Sequence, residues 1–210
     1  MNRSADALRE QFGTAIRRVR ESCGHTIVHV DPTRIREVMG WLKETLGQEY
    51  NYLVDVTAVE YRDAGLPIEV VYLLRSLDRH ADLTVKAALP TDEPLEIESV
   101  VPLWRVADWL EREVYDMFGV RFLNHPDLRR ILMWETYQEG YPLRKDFPLR
   151  GRFSRSEQTR QALHTNPEAH YSMEELTIAE AYHDVPADMR ERIARGERER
   201  IPDPPDDEGA

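Results

Sequence analysis

Apolar residues recur at helical spacing near the start of the chain and at alternate positions through its middle. Leu8, Phe12, Ala15, Ile16 and Val19 predict an amphipathic helix across the N-terminus. HTIVHV (His25–Val30) predicts a strand. DPTRIREVMGWLKETLG predicts a helix: Asp31 can cap it, Pro32 suits its first position, and Gly47 ends it. Its apolar stripe is Ile35, Val38, Met39, Leu42 and Leu46. Three β-rich stretches follow, YNYLVDVTAVEY, IEVVYLLRS and DLTVKAAL, joined by the short links DAGLP and LDRHA. Short links favour antiparallel neighbours, so these predict a meander. PTDEPLEIES reads as an irregular connection, and a further helix runs from about Arg105 to Phe118 and stops at Gly119. The fold class is therefore α+β. One domain over residues 1–150 carries a mixed or largely antiparallel sheet with helices packed on one face.

Beyond Gly151 large apolar residues thin out to scattered anchors such as Leu163, Tyr171, Met173, Leu176, Ile178 and Tyr182, and the chain ends in RGERERIPDPPDDEGA. Such a stretch cannot bury enough apolar surface to offset its ordering entropy, yet its anchors are too many for a spacer. Residues 151–210 are expected to be an extended partner-binding C-terminal arm.

Composition narrows the function. The 210 residues carry a formal charge of −11, which argues against nucleic acid as a partner, since phosphate contacts need a basic face. Cys23 is the one cysteine, so the chain can form no internal disulfide and is not expected to hold an iron–sulfur cluster. The N-terminus lacks the continuous apolar segment of a secretory signal. The apolar run Val70–Leu74 is far too short to cross a bilayer, so direct membrane insertion is not expected. There is no Gly-rich phosphate loop, no G-x-S-x-G elbow, no H-E-x-x-H and no paired C-x-x-C. No catalytic, cofactor-binding or metal-ligating residue is assigned.

The helix before Gly119 carries the most informative polar residues. Val106, Trp109, Leu110, Val114 and Met117 share one stripe, with Glu113 in its middle. Asp108 and Arg112 are spaced for an i,i+4 pair. A carboxylate on a core face must be paired or protonated. Glu113 could act as a general acid toward a substrate, or as a structural anchor for a guanidinium. Arg129, Arg130, Arg144 and Lys145 follow closely on Pro- and Gly-rich segments that can fold back, which favours the anchor. His125-Pro126 restrains the chain, Asp127 can form a local turn, and Arg129 and Arg130 point in different directions.

The run EREVYDMFGVRFLNHPDLRRIL (Glu111–Leu132) resembles the signature of the C-type subunit of NADH:quinone oxidoreductase, respiratory complex I. The matching positions are Glu111-Arg112-Glu113, Asp116, Met117-Phe118, His125 and Arg129. GYPLRKDFPL (Gly140–Leu149) resembles the second block of that family, with Tyr141 where the family more often has His. The resemblance implies a non-catalytic scaffold in the peripheral arm. Its main partner would be the neighbouring D-type subunit, which helps form the quinone site, with other peripheral-arm subunits beside it. The whole complex is expected to hold FMN and iron–sulfur clusters and to pass electrons from NADH to quinone while translocating protons. This chain itself is expected to bind none of these cofactors. The complex would hold it on the cytoplasmic side of the cell membrane, or on the matrix side in a mitochondrion. The structural and partner-interface candidates are Glu111, Arg112, Glu113, Asp116, His125, Asp127, Arg129, Arg130, Arg144, Lys145 and Asp146, and PLRKDFPL is expected to be a clamp on the partner. The rivals are an equivalent subunit of a membrane-bound hydrogenase or of a ferredoxin- or F420-linked dehydrogenase, and a stand-alone enzyme using Glu113 and Arg144.

Overall fold

The computed structural model describes residues 3–61, 67–90, 94–134, 137–149 and 151–152. The expected C-terminal arm lies outside them, apart from Gly151 and Arg152. The first helix, α1 (Arg3–Phe12), is shorter than the apolar spacing predicts. Gly13 takes a φ of +49° and turns the chain through a 3-10 turn, and Ile16 and Val19 then lie in strand β1 (Ile16–Ser22). There they face Val30 and Val28 of strand β2 (His25–Val30) across an antiparallel hairpin. Tertiary pairing thus overrides a helical period that continued by chance past the glycine.

Asp31 opens the next element as expected. Its carboxylate accepts from the Thr33 amide at 3.0 Å and from Arg17 at 2.8 Å, and it caps a 3-10 turn (Pro32–Arg34) that runs into α2 (Ile35–Glu44). The Arg17 guanidinium and the Thr33 hydroxyl hold the Asp31 carboxyl at about 2. Ile35, Val38, Met39 and Leu42 are buried as predicted. The helix ends at Glu44 rather than at Gly47, however, and Leu46 is exposed in the turn that follows.

Strands β3 (Tyr52–Val59), β4 (Ile68–Ser76) and β5 (Ala81–Leu89) form the expected antiparallel meander. The sheet order is β1-β2-β5-β4-β3, and β2 joins β5 in parallel, so the sheet is mixed. Along β2 and β5 burial alternates: Val28, Val30, Leu83, Val85, Ala87 and Leu89 enter the core with the apolar faces of α1 and α2. His29 and Lys86 point the other way. The segment read as irregular contains a short strand, β6 (Glu96–Glu98). It pairs in parallel with β7 (Arg121–Leu123), which follows α3 (Ala107–Phe118). No helix among the described residues is long and apolar enough to cross a membrane.

Candidate functional site

The buried face of α3 lies about a quarter turn away from the apolar stripe that the sequence suggests. Ala107, Glu111, Val114 and Phe118 are buried, whereas Trp109 is 60% exposed, Val106 is about half-exposed and Glu113 faces solvent. The expectation that Glu113 is a buried carboxylate paired with an arginine is thus corrected. Nor do Asp108 and Arg112 pair. Arg112 instead donates to the carbonyls of Arg129 (3.2 Å) and Arg130 (3.4 Å), and its guanidinium lies 5.3 Å from the centre of the Trp109 ring. A cation beside the indole accounts for an aromatic residue on a half-wet face.

A second side of α3 is buried because the chain returns over it after β7. Asp116, fully buried, organises that return. Its Oδ2 accepts from three successive amides, Ile131 (3.1 Å), Leu132 (2.7 Å) and Met133 (2.8 Å), and its Oδ1 accepts from Arg130 at 2.6 Å. The Arg130 guanidinium also donates to the carbonyls of Asp116 and Gly140, and it sits 5.2 Å from the ring centres of both Tyr137 and Tyr141. Both carboxylate oxygens therefore have donors, the condition under which a buried charge is tolerated. The anchor role that the sequence placed on Glu113 is filled three residues later, and its partner is one of the arginines that followed. Arg129 points away to solvent and pairs with exposed Asp127 at 2.8 Å.

Glu111, on the same helix, is also fully buried. Its Oε1 accepts from the Val100 amide at 2.7 Å, while Oε2 has no hydrogen-bond partner among the described residues. The Tyr72 hydroxyl of β4 is likewise buried and unpartnered, and both burial and the Glu111 charge hold it in its protonated form. The buried His125 ring stands 4.0 Å from Glu111 Oε2. His125 Nδ1 accepts from the Asp127 amide at 3.1 Å, so the neutral ring carries its proton on Nε2, which faces the Asp108 carbonyl at 3.2 Å. Burial raises the Glu111 carboxyl to about 7, and the Asp108 charge adds to this, against the Val100 amide and the Ser99 hydroxyl.

The second block closes on the end of α3. Gly119 takes a φ of +77°, and the Leu143 amide donates to the Met117 carbonyl at 3.1 Å. A Cβ on Gly119 would stand 2.4 Å from the Tyr141 ring. That ring is held by Arg130 on one hand and by Arg144, 5.3 Å from its centre, on the other. Lys145 and Asp146 are exposed, and the Lys145 amide reaches back to Glu60 at 2.7 Å. Gly119→Ala is therefore expected to cost about 2 kcal/mol, against about 1 kcal/mol for Gly47→Ala, whose position is open at a similar φ. Urea midpoints compare the two directly, and equal losses would mean that the Tyr141 ring moves aside freely.

The network has one outward product. The return segment and α3 leave Trp109, Leu132, Leu143 and Leu149 exposed at 60%, 61%, 52% and 103%. The resemblance placed Glu111 and Asp116 among the structural candidates, but the helical period gave no sign that either is buried. No group of three or more residues suited to holding a metal ion occurs among the described residues.

Comparison with known proteins follows the same residues. The sequence model of the family described as the respiratory-chain NADH dehydrogenase 30 Kd subunit matches residues 28–153. The chain is 46% identical over 151 residues to the C-type subunit of NADH-quinone oxidoreductase from Geobacter sulfurreducens, spanning 71% of this chain and 91% of that one. It is 44% identical over 142 residues to a C-type subunit of the same enzyme from Rhizobium etli, spanning 68% and 74% of the two chains. Among solved structures, a trypsin-resistant fragment of Nqo5 matches with a TM-score of 0.51 and 30% identity, over 59% of this chain and 97% of the fragment.

Proposed function

Because the chain belongs to the respiratory-chain NADH dehydrogenase 30 Kd subunit family, we propose that it is a non-catalytic scaffold of the peripheral arm of NADH:quinone oxidoreductase. The complex passes electrons from NADH through FMN and iron–sulfur centres to quinone, and this chain holds none of those groups. The observation that carries the reading is how the signature residues are used. Asp116, Arg130 and Arg112 bond to the return segment, and Glu111 bonds to the Val100 amide. None of these groups opens toward a substrate. Their effect is to fix the return segment against α3, and we take the exposed side chains Trp109, Leu132 and Leu143 as the apolar edge that meets a neighbouring subunit. Pre-ordering that edge lowers the entropy lost on docking.

The main partner in this reading is the D-type subunit, with PLRKDFPL as part of the clamp and residues 151–210 as a further arm along the partner surface. The chain reaches the membrane only through the complex, on its cytoplasmic side. An affinity-tagged chain recovered from membranes in mild detergent is expected to bring down the D-type subunit and other peripheral-arm subunits. Leu132→Asp, at an exposed position, is expected to leave the fold intact and to lose most of that recovery. Recovery of the tagged chain alone, with turnover of its own, would reject the scaffold role.

A further inference from the structure

A basin of about 330 Å³ opens on the face of the sheet that carries His29 and Lys86, and it is lined by Arg18, Arg20, His29, Tyr61, Glu69 and Lys86. Register explains the gathering. Arg18 lies opposite His29, His29 opposite Lys86, and Glu69 pairs two positions along β5 from Lys86. Four strands thus contribute side chains to one spot.

The charges in this basin do not cancel. Glu69 is buried and fully engaged: its Oε2 accepts from the Tyr61 hydroxyl at 2.6 Å and from Lys86 at 3.0 Å, and its Oε1 faces His29 at 3.4 Å. One carboxylate therefore answers one lysine. Arg18 and Arg20 remain, both exposed, with no ion-pair partner among the described residues. In a chain of formal charge −11, the described residues leave a local excess of two positive charges at the mouth of a concave, half-dry site.

We propose that this basin binds a small oxyanion, of phosphate or carboxylate class, between Arg18, Arg20 and the His29 ring. The two guanidiniums supply charge-assisted donors. The imidazole, oriented by Glu69, adds a third donor once it is protonated. Burial and the charges of Lys86, Arg18 and Arg20 hold free His29 neutral, against the pull of Glu69. An anion that neutralises the arginines removes part of that opposition, so binding takes up a proton on His29 and tightens as pH falls.

Inorganic phosphate titrated into the full chain at fixed ionic strength, followed by the ring resonances of His29 as assigned with His29→Gln, reads both effects. Saturable shifts are expected, with the His29 titration moved to higher pH. In Arg18→Ser/Arg20→Ser the apparent affinity is expected to fall about tenfold or more. Arg18→Lys/Arg20→Lys should restore much of it. A parallel arm uses phosphatidylcholine vesicles with and without phosphatidate. Capture only by the phosphatidate vesicles, lost in the serine variant, identifies the oxyanion as a lipid headgroup. Saturation by phosphate without vesicle capture identifies a free ion. Non-saturable shifts with neither arm binding, or binding undiminished in the serine variant, overturn the proposal.

Discussion

Asp116→Ala is expected to destabilise the chain by about 4 kcal/mol. The substitution leaves the Arg130 guanidinium without its carboxylate and removes the common acceptor of the Ile131, Leu132 and Met133 amides. The Arg130 side chain is only 12% exposed, so water cannot readily replace the lost charge. A loss of that size is a large share of a typical domain's stability, and the measured quantity is the urea midpoint with its slope. Asp116→Asn should fall between, because its carbonyl can still accept from the amides while its amide group opposes the guanidinium. Pairing Asp116→Ala with Arg130→Met should cost clearly less than the sum of the two single changes, since no buried charge is then stranded. Additive losses would show that the two side chains do not work as one unit. An unchanged midpoint in Asp116→Ala would show that the return segment is held by something else.

Glu111→Gln is expected to act in the opposite direction. The folded carboxyl titrates near 7, above its ordinary 4.5. Below about 4.5 both folded and unfolded chains are protonated there, and the full stability is present. Between 4.5 and 7 the unfolded chain ionises while the folded one resists, so stability falls as pH rises and stays low above 7. The total decline is about 3 kcal/mol for this group. Glutamine keeps an oxygen for the Val100 amide and cannot ionise. The variant should match the parent near pH 4.5 and exceed it at pH 8 by about 3 kcal/mol, equivalent to a melting temperature higher by roughly 6–12 °C. Parallel pH profiles for parent and variant would show that Glu111 ionises as freely as an exposed carboxylate.

Most of the sheet and α2 could be read from the sequence because each segment carried a clean period bounded by turn residues. HTIVHV, IEVVYLLRS and DLTVKAAL alternate or run apolar, and Asp31-Pro32 announces a helix start. What could not be read was set by partners distant in sequence. Ile16 and Val19 fit a helix until the hairpin with β2 claims them. β6 is a strand only because β7 lies beside it. Helix α3 misled for a further reason: it is covered twice, by the sheet and by the returning chain. Its buried residues therefore include Glu111, Arg112 and Asp116, while Trp109 is left outside. A single apolar stripe cannot describe such a helix. The family resemblance pointed to the right short segment, but the choice between Glu113 and Asp116 as its anchor depends on where the returning chain lies.

The parallel junction between β2 and β5 has a consequence for the order in which the chain can assemble. Ile27 must meet Thr84 and Val30 must meet Ala87, with α2, β3 and β4 lying between them in sequence. The β3–β4–β5 meander closes through short links, whereas the N-terminal hairpin can dock only after β5 exists to receive it. The hairpin, synthesised before β5, thus cannot be seated until β5 is made. Until then Val28 and Val30 have no core to enter, and the inner edge of β2 is open to pairing with other chains. The time the chain spends vulnerable to aggregation is set by how soon residues 81–89 emerge and pair.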